Sequence, residues 1–434
     1  MGFEKFAKFI LILDLLLSFL SPFFRWQPLN YASTALLLLV SSICVVFFFQ
    51  TEKRPILRKF GFLLLFFCIL TFFNWLRFPK SYLGGEDGFF STSHQMTGTL
   101  RTLLPFFLIY RLKTKELLSI HSLHRLAFVS TSHQMTGTLR TLLSFFLIYR
   151  LKTKELLSIH SLHRLAFVFF ILAIPAFILD YYSLDFGKYG NSVNTAYALI
   201  YIYFLLSLDG FNIKNTLYLV IIFGFVVFSA KRGAMISIAI VSAFFLFYRW
   251  RGKVSRLFMI PIAVGTLAIM ANYIYNSNEN LQLKMEGTQE GNYSGRNYMN
   301  EVLVLNFLNQ DTEHQIFGFA FAGSVLLLDM DAHNDYLEIL TSQGLLGLVF
   351  YIFILIYFLV LFFKARSHLK PHEKFIILSG ILMWYVRAYV SQTVYGSDAI
   401  LFIMAFTFII AGLPKEAMSK RYRLPQRNKR IFIE

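Results

Sequence analysis

Charge is scarce in this 434-residue chain. Asp, Glu, Lys and Arg make up 15% of it, against about 25% in soluble domains, too little to clothe a water-soluble fold of this size. Acidic residues are the rarer sign, 24 against 41 basic. The resulting excess of +17 does not call for a nucleic-acid partner, because the cations gather in short connections between apolar runs, as cytoplasmic loops of membrane proteins require. Cysteine is nearly missing. Cys44 and Cys68 both lie inside apolar runs, which argues against a disulfide framework and against a metal cluster. There is no phosphate-binding glycine loop, no zinc-type His/Cys spacing and no nucleophile elbow. No cofactor and no metal are expected. Asp329, Asp331 and Asp335 are spaced acids in one loop, too weak a pattern to specify an ion.

What the chain has in excess is apolar surface: 56% hydrophobic and 18% aromatic residues, 51 of them Phe, with mean hydropathy +0.58. Apolar runs recur near the roughly 20 residues that cross about 30 Å of hydrocarbon. The expected fold is all-α, a polytopic membrane protein of about twelve transmembrane helices plus a duplicated segment and one large outer loop. Spans are expected at 6–24, 31–49, 58–77, 97–111, 165–182, 193–209, 214–230, 233–250, 256–275, 343–364, 374–392 and 398–413. The first follows Lys5 and Lys8 without a small-residue cleavage pattern and reads as a retained span. With the N-terminus inside, the basic connections Thr51–Lys59, Arg111–Arg125, Arg249–Arg256 and Lys364–Lys374 and the tail from Lys415 all fall on the cytoplasmic side. The chain then divides into membrane helices over 1–275, an outer loop over 276–342, membrane helices over 343–414 and a basic tail over 415–434.

That count sets one copy of a repeat aside. Residues 91–129 recur as 130–168, and the sole difference is Pro105 against Ser144. Near-identity in two units marks a recent tandem duplication rather than a solenoid, whose repeats diverge. Both copies of Arg-Leu-Lys-Thr-Lys-Glu want the cytoplasm, so one copy is expected not to span but to lie in the membrane interface. Copy two runs directly into Phe169-Phe170-Ile171 and keeps the join to the next span.

Three sites on the expected outer side are candidates for chemistry. His333 lies in Asp331-Ala332-His333-Asn334-Asp335-Tyr336, near the end of the long polar stretch. A histidine beside carboxylates can move protons near neutral pH; the plainer alternative is a helix cap formed by Asp331 and Asn334. Arg232 follows Ser229-Ala230-Lys231 and, with Lys231, breaks the positive-inside pattern. Arg296 sits in the turn-like Tyr293-Ser294-Gly295-Arg296-Asn297. Arginine's planar fork pairs with phosphate oxygens, while the plainer readings are a snorkelling cation for Arg232 and a solvated charge for Arg296. Arg387 lies inside an apolar run and needs a cavity or a partner such as Asp398. The duplicated pairs His94/His133 and Arg101/Arg140 are poor candidates for a unique site, although one arginine could face a lipid headgroup groove.

These residues resemble the O-antigen ligase and polymerase superfamily. His333-Asn334, nine residues, Gly344, two residues and Gly347 fit its ligase-type pattern. Ser294-Gly295-Arg296 is similar to the family's loop arginine, and Ala230-Lys231-Arg232-Gly233-Ala234 to its arginine at the outer start of a span. The duplication departs from the family pattern. The resemblance implies a metal-independent glycosyltransferase in the bacterial inner membrane, with both termini cytoplasmic. It moves a glycan from undecaprenyl diphosphate to an acceptor sugar hydroxyl. His333 would be the general base, with Arg232 and Arg296 on the diphosphate. Lys231 and Arg387 would support them, and Asn334 and Asp335 would set the tautomer of His333. Partners are the lipid-linked oligosaccharide, an acceptor glycan lipid, the bilayer and, as a further candidate, a chain-length regulator. The acceptor is a second repeat unit in a polymerase, marginally preferred here, or lipid A–core in a ligase. A transporter or flippase of lipid-linked sugars is the alternative from another class. Cysteines placed at positions 113 and 152 should label from the same side of the membrane, and labelling from opposite sides would defeat the reading of the repeat.

Overall fold

A computed structural model describes residues 2–20, 27–76, 129–182, 195–229, 231–250, 296–319, 323–328, 332–391, 393 and 399–414, with isolated positions between 261 and 282. Every regular element among them is helical. In chain order these are α1 (Phe3–Leu20), α2 (Gln27–Thr51), α3 (Pro55–Leu76), α4 (Val129–Thr153), α5 (Ile159–Tyr182), α6 (Thr195–Leu206), α7 (Ile213–Phe228) and α8 (Arg232–Arg249). They continue as α9 (Arg296–Leu308), α10 (Thr312–Phe317), α11 (Gly323–Leu328), α12 (Asp335–Ala365), α13 (Pro371–Val390) and α14 (Ile400–Gly412). The segments Ser33–Thr51, Pro55–Asn74, Ile159–Ile178, Arg232–Arg249 and Asp335–Ala365 are long and apolar enough to cross a membrane. The expected spans fall on α1–α3, α5–α8 and α12–α14, apart from 97–111 and most of 256–275, which lie outside the described residues.

All of the first copy but Val129 also lies outside them; the second forms α4, which starts at the seam between the copies, and the first part of α5. This helix packs against α2, α14, α3 and α1. From Leu142 to Tyr149 its side chains are buried, and they meet α2 and α3 through edge-to-face rings. Phe48 stands 5.7 Å from Phe145, 5.2 Å from Phe146 and 5.0 Å from Tyr149, and Phe60 lies 5.3 Å from Phe145. The chain's wealth of phenylalanine therefore becomes interhelical packing, where ring pairs add about 0.5–1.5 kcal/mol beyond the area they bury.

Two polar knots tie this helix down. Arg140 Nε donates to Asp14 Oδ2 at 2.7 Å, and Thr34 Oγ1 donates to Asp14 Oδ1 at 2.7 Å, all within the protein. Arg140 thus faces α1 and α2 rather than a headgroup groove, because an arginine inside apolar packing must find an opposite charge. At the far end of α4, Arg54 donates to Glu52, Tyr149 and the Leu413 carbonyl, and Arg150 pairs with Glu4 at 3.0 Å.

The ends of the bundle are chemically unlike. Lys8, Arg54, Arg150 and Lys152, with the last turns of α8 and α12 at Arg249 and Lys364, gather at one end. The first turn of α12 lies at the other.

Ser144 is fully buried, and its Oγ donates to Thr141 O at 2.7 Å. A proline in its place would lose an interior helix hydrogen bond and push into the preceding turn, a cost of about 3 kcal/mol or more. That is the residue copy one carries at the matching position, Pro105, so an uninterrupted helix at this place suits the second copy. Ser144→Pro should lower the thermal midpoint and the yield of the detergent-solubilised protein markedly, and an unchanged midpoint would contradict this packing.

Candidate functional site

The site is built on the start of α12. Asn334 is its cap: Oδ1 accepts the N–H of Tyr336 at 2.9 Å and of Leu337 at 3.3 Å, satisfying donors that a helix start leaves open. His333 precedes the cap with φ +48°, in the left-handed region that few residues other than glycine enter. Its side chain is exposed while Ala332 and Asn334 on either side are buried. The cap and the histidine are thus parts of one turn, so the structural and chemical readings of this motif do not compete.

Two carboxylates lie beneath the turn with 0% exposure, Asp335 and Glu338. Asp335 accepts the hydroxyl of Tyr351 at 3.0 Å and the backbone N–H of Thr393 at 2.9 Å, and Tyr351 in turn accepts the indole N–H of Trp384 at 3.0 Å. Glu338 accepts the hydroxyls of Ser324 and Ser342 and the N–H of Ala332. A buried carboxylate is tolerated only when hydrogen-bonded in this way.

Glycine lets the outer elements close on this turn. Gly344 has φ +68° and ψ −169°, which breaks α12 into an outer segment and a long inner one. A β-carbon there would collide with the Ile316 carbonyl, and one at Gly318 or Gly323 with the backbone of Thr341 and Ser342. Asp311 caps α10, and the His314 N–H, foremost among several contacts, holds its carboxyl below the ordinary range.

A cationic cluster lies at the same end. The Arg387 guanidinium stands 4.2 Å from the Tyr197 ring centre and 5.4 Å from that of Tyr201, and Lys231 Nζ is 5.0 Å from Tyr197. Such contacts stabilise a cation shielded from water. Gly233 brings α8 so close to Tyr197 and Val390 that a β-carbon has no room. Because α13 ends at Val390 and Thr393 is bonded to Asp335, α13 links this cluster to the His333 turn.

Residues 217–352 match the family model described as O-Antigen ligase. That stretch, rather than the whole chain, is similar to the O-antigen ligase family. No curated protein matches the chain. The O-antigen ligase match takes in Arg232, Arg296, His333, Gly344 and Gly347, and ends before Arg387.

Within the matched stretch, Lys231, Arg232, His333, Asn334 and Asp335 lie at one end of the bundle, and Arg387 shares the Tyr197 ring with Lys231. Arg296 opens α9 as expected of a turn leading into a helix, but its side chain lies outside the described residues, as do Asp329, Asp331 and Asp398. Arg387 packs over the two tyrosine rings, and the carboxylate expected as its partner, Asp398, is not among the described residues. Sequence reading passed over Glu338, Ser324, Tyr197, Tyr351 and Thr393. The available signal was an acid one turn into an apolar helix, which must be partnered when it is buried.

Gly344→Ala should destabilise the protein by about 2 kcal/mol or more, since left-handed backbone and a carbonyl collision act together. Gly347→Ala should cost less, because its new β-carbon meets Gln343 Cβ but the position carries no positive φ. Thermal midpoints in detergent check the order; a larger drop for Gly347→Ala would refute it.

Proposed function

We propose that this protein is a membrane glycosyltransferase that moves a glycan from a polyprenyl diphosphate, undecaprenyl diphosphate in bacteria, onto an acceptor sugar hydroxyl. The observation that carries the reading is the exposed, backbone-fixed His333 at the same end of the bundle as Lys231, Arg232 and Arg387, within and beside the family match. In the reaction the acceptor oxygen attacks the anomeric carbon. The bond from that carbon to the diphosphate oxygen breaks, and the diphosphate leaves with the electron pair. His333 takes the acceptor proton as general base, a role worth about 10²–10⁴-fold. Arg232 and Arg296 hold the diphosphate and stabilise the charge it gains on leaving, with Lys231 and Arg387 adding to the positive field. The reading calls for neither nucleotide nor metal.

Cations crowd the end of the bundle away from His333, which supports a cytoplasmic placement for that end and the outer face of the inner membrane for the site. For the acceptor, a repeat-unit glycan makes the protein a polymerase. Lipid A–core makes it a ligase, toward which the His333-Asn334, nine, Gly344, two, Gly347 spacing leans.

Purified protein supplied with a lipid-linked repeat unit, with and without lipid A–core, tests both. A ladder of longer lipid-linked chains without core means polymerase; product only with core means ligase. His333→Ala should lower either rate roughly 10²–10⁴-fold at unchanged membrane level. A variant that keeps its rate, together with transport lost in Arg387→Ala, would turn the assignment to a carrier of lipid-linked sugars.

A further inference from the structure

The His333 turn is held from below by a residue that the motif spacing does not single out. Glu338 sits one turn into α12, fully buried, where its Oε2 accepts both the Ser324 hydroxyl and the backbone N–H of Ala332, the latter at 3.2 Å. Its Oε1 accepts the Ser342 hydroxyl at 3.2 Å, and Ser342 Oγ accepts the Gly323 N–H at 3.0 Å. The Ala332 N–H also lies 3.3 Å from Ser324 Oγ. One carboxylate therefore joins three pieces of chain: the start of α11, the residue before His333, and α12 itself.

We infer that Glu338 is the positioning residue of the His333 turn, fixing the Ala332–His333 backbone so that the imidazole is presented at one place and angle. This rests on the reading of His333 as general base. Docking α11 on α12 would need only the serine contacts. The bond to Ala332 does something more, because it anchors the peptide on one side of His333 while the Asn334 cap anchors the other. Between two fixed neighbours, His333 is kept in a left-handed conformation that a free chain seldom adopts, and its ring is left exposed to meet an acceptor. Loss of the clamp would let the turn relax, and misplacement by about 1 Å is enough to cost about 10²-fold in rate.

The test uses the full-length protein in detergent or nanodiscs with the lipid-linked repeat unit, and lipid A–core where that is the acceptor. Glu338→Gln and Ser324→Ala are compared with wild type and with His333→Ala, all normalised to folded protein. Glu338→Gln should lower kcat roughly 10–100-fold while KM for the lipid donor stays within about twofold and the thermal midpoint stays near that of wild type. Ser324→Ala, which keeps the carboxylate, should lower kcat about 3–10-fold with the same split. Folded Glu338→Gln with undiminished kcat would overturn the inference. If Glu338→Gln does not fold, undiminished kcat in Ser324→Ala overturns it instead. A fully active His333→Ala would bring down the base reading and this inference together, whereas a rate that depends on His333 but not on Glu338 or Ser324 defeats the inference alone.

Discussion

A carboxylate taken out of water must be surrounded by donors, and the His333 end of the bundle is organised around two that are. Asp335 and Glu338 sit three residues apart on the first turn of α12, where the helix start itself favours negative charge. Each reaches a different part of the chain. Asp335 draws in Thr393, beyond α13, together with the Tyr351–Trp384 pair inside the bundle. Glu338 draws in α11 and Ala332. Ala332 before α12 and Thr393 after α13 are thus held by the same requirement, that no buried charge stay unsatisfied. His333 stands on the turn that results, and α13, bound through Thr393, carries Arg387 to the rings of α6.

Much of the bundle could be read from the sequence because apolar length is a direct physical demand of the bilayer. The runs near 31–49, 58–77, 165–182 and 233–250 became α2, α3, α5 and α8 with shifts of a few residues. The long α12 was harder. Its apolar inner part was visible from position 343, but the segment from Asp335 to Gln343 reads as loop because its polar residues face packed outer elements rather than lipid. His333, Arg232 and Arg387 were legible because each is costly or conspicuous where it stands. The clamps around them were not, since serine, threonine and a backbone N–H leave no mark in a sequence until tertiary contacts select them. Tyr197 is a similar case: in an aromatic-rich chain nothing distinguishes the ring that lies against Lys231 and Arg387 from the others.

The duplication shows how tightly packing discriminates between nearly equal sequences. Both copies carry an arginine able to meet Asp14 and a tyrosine able to meet Arg54, and the single difference falls at a position buried against the rest of the bundle. One ring closure on a backbone nitrogen separates the segment packed here from one that would lose an interior helix hydrogen bond in its place.

The break in α12 at Gly344 has a mechanical meaning. A continuous helix transmits rotation: a change of one residue in its inner part would swing everything above it by about 100°, the turn per residue of an α-helix. With φ +68° and ψ −169° at the joint, the nine residues above it take their orientation from α10, α11 and the segment at Thr393 instead. The joint lets the two parts of α12 take separate directions, while the hydrogen bond from Tyr351 on the inner rod to Asp335 above it keeps them in register across the break.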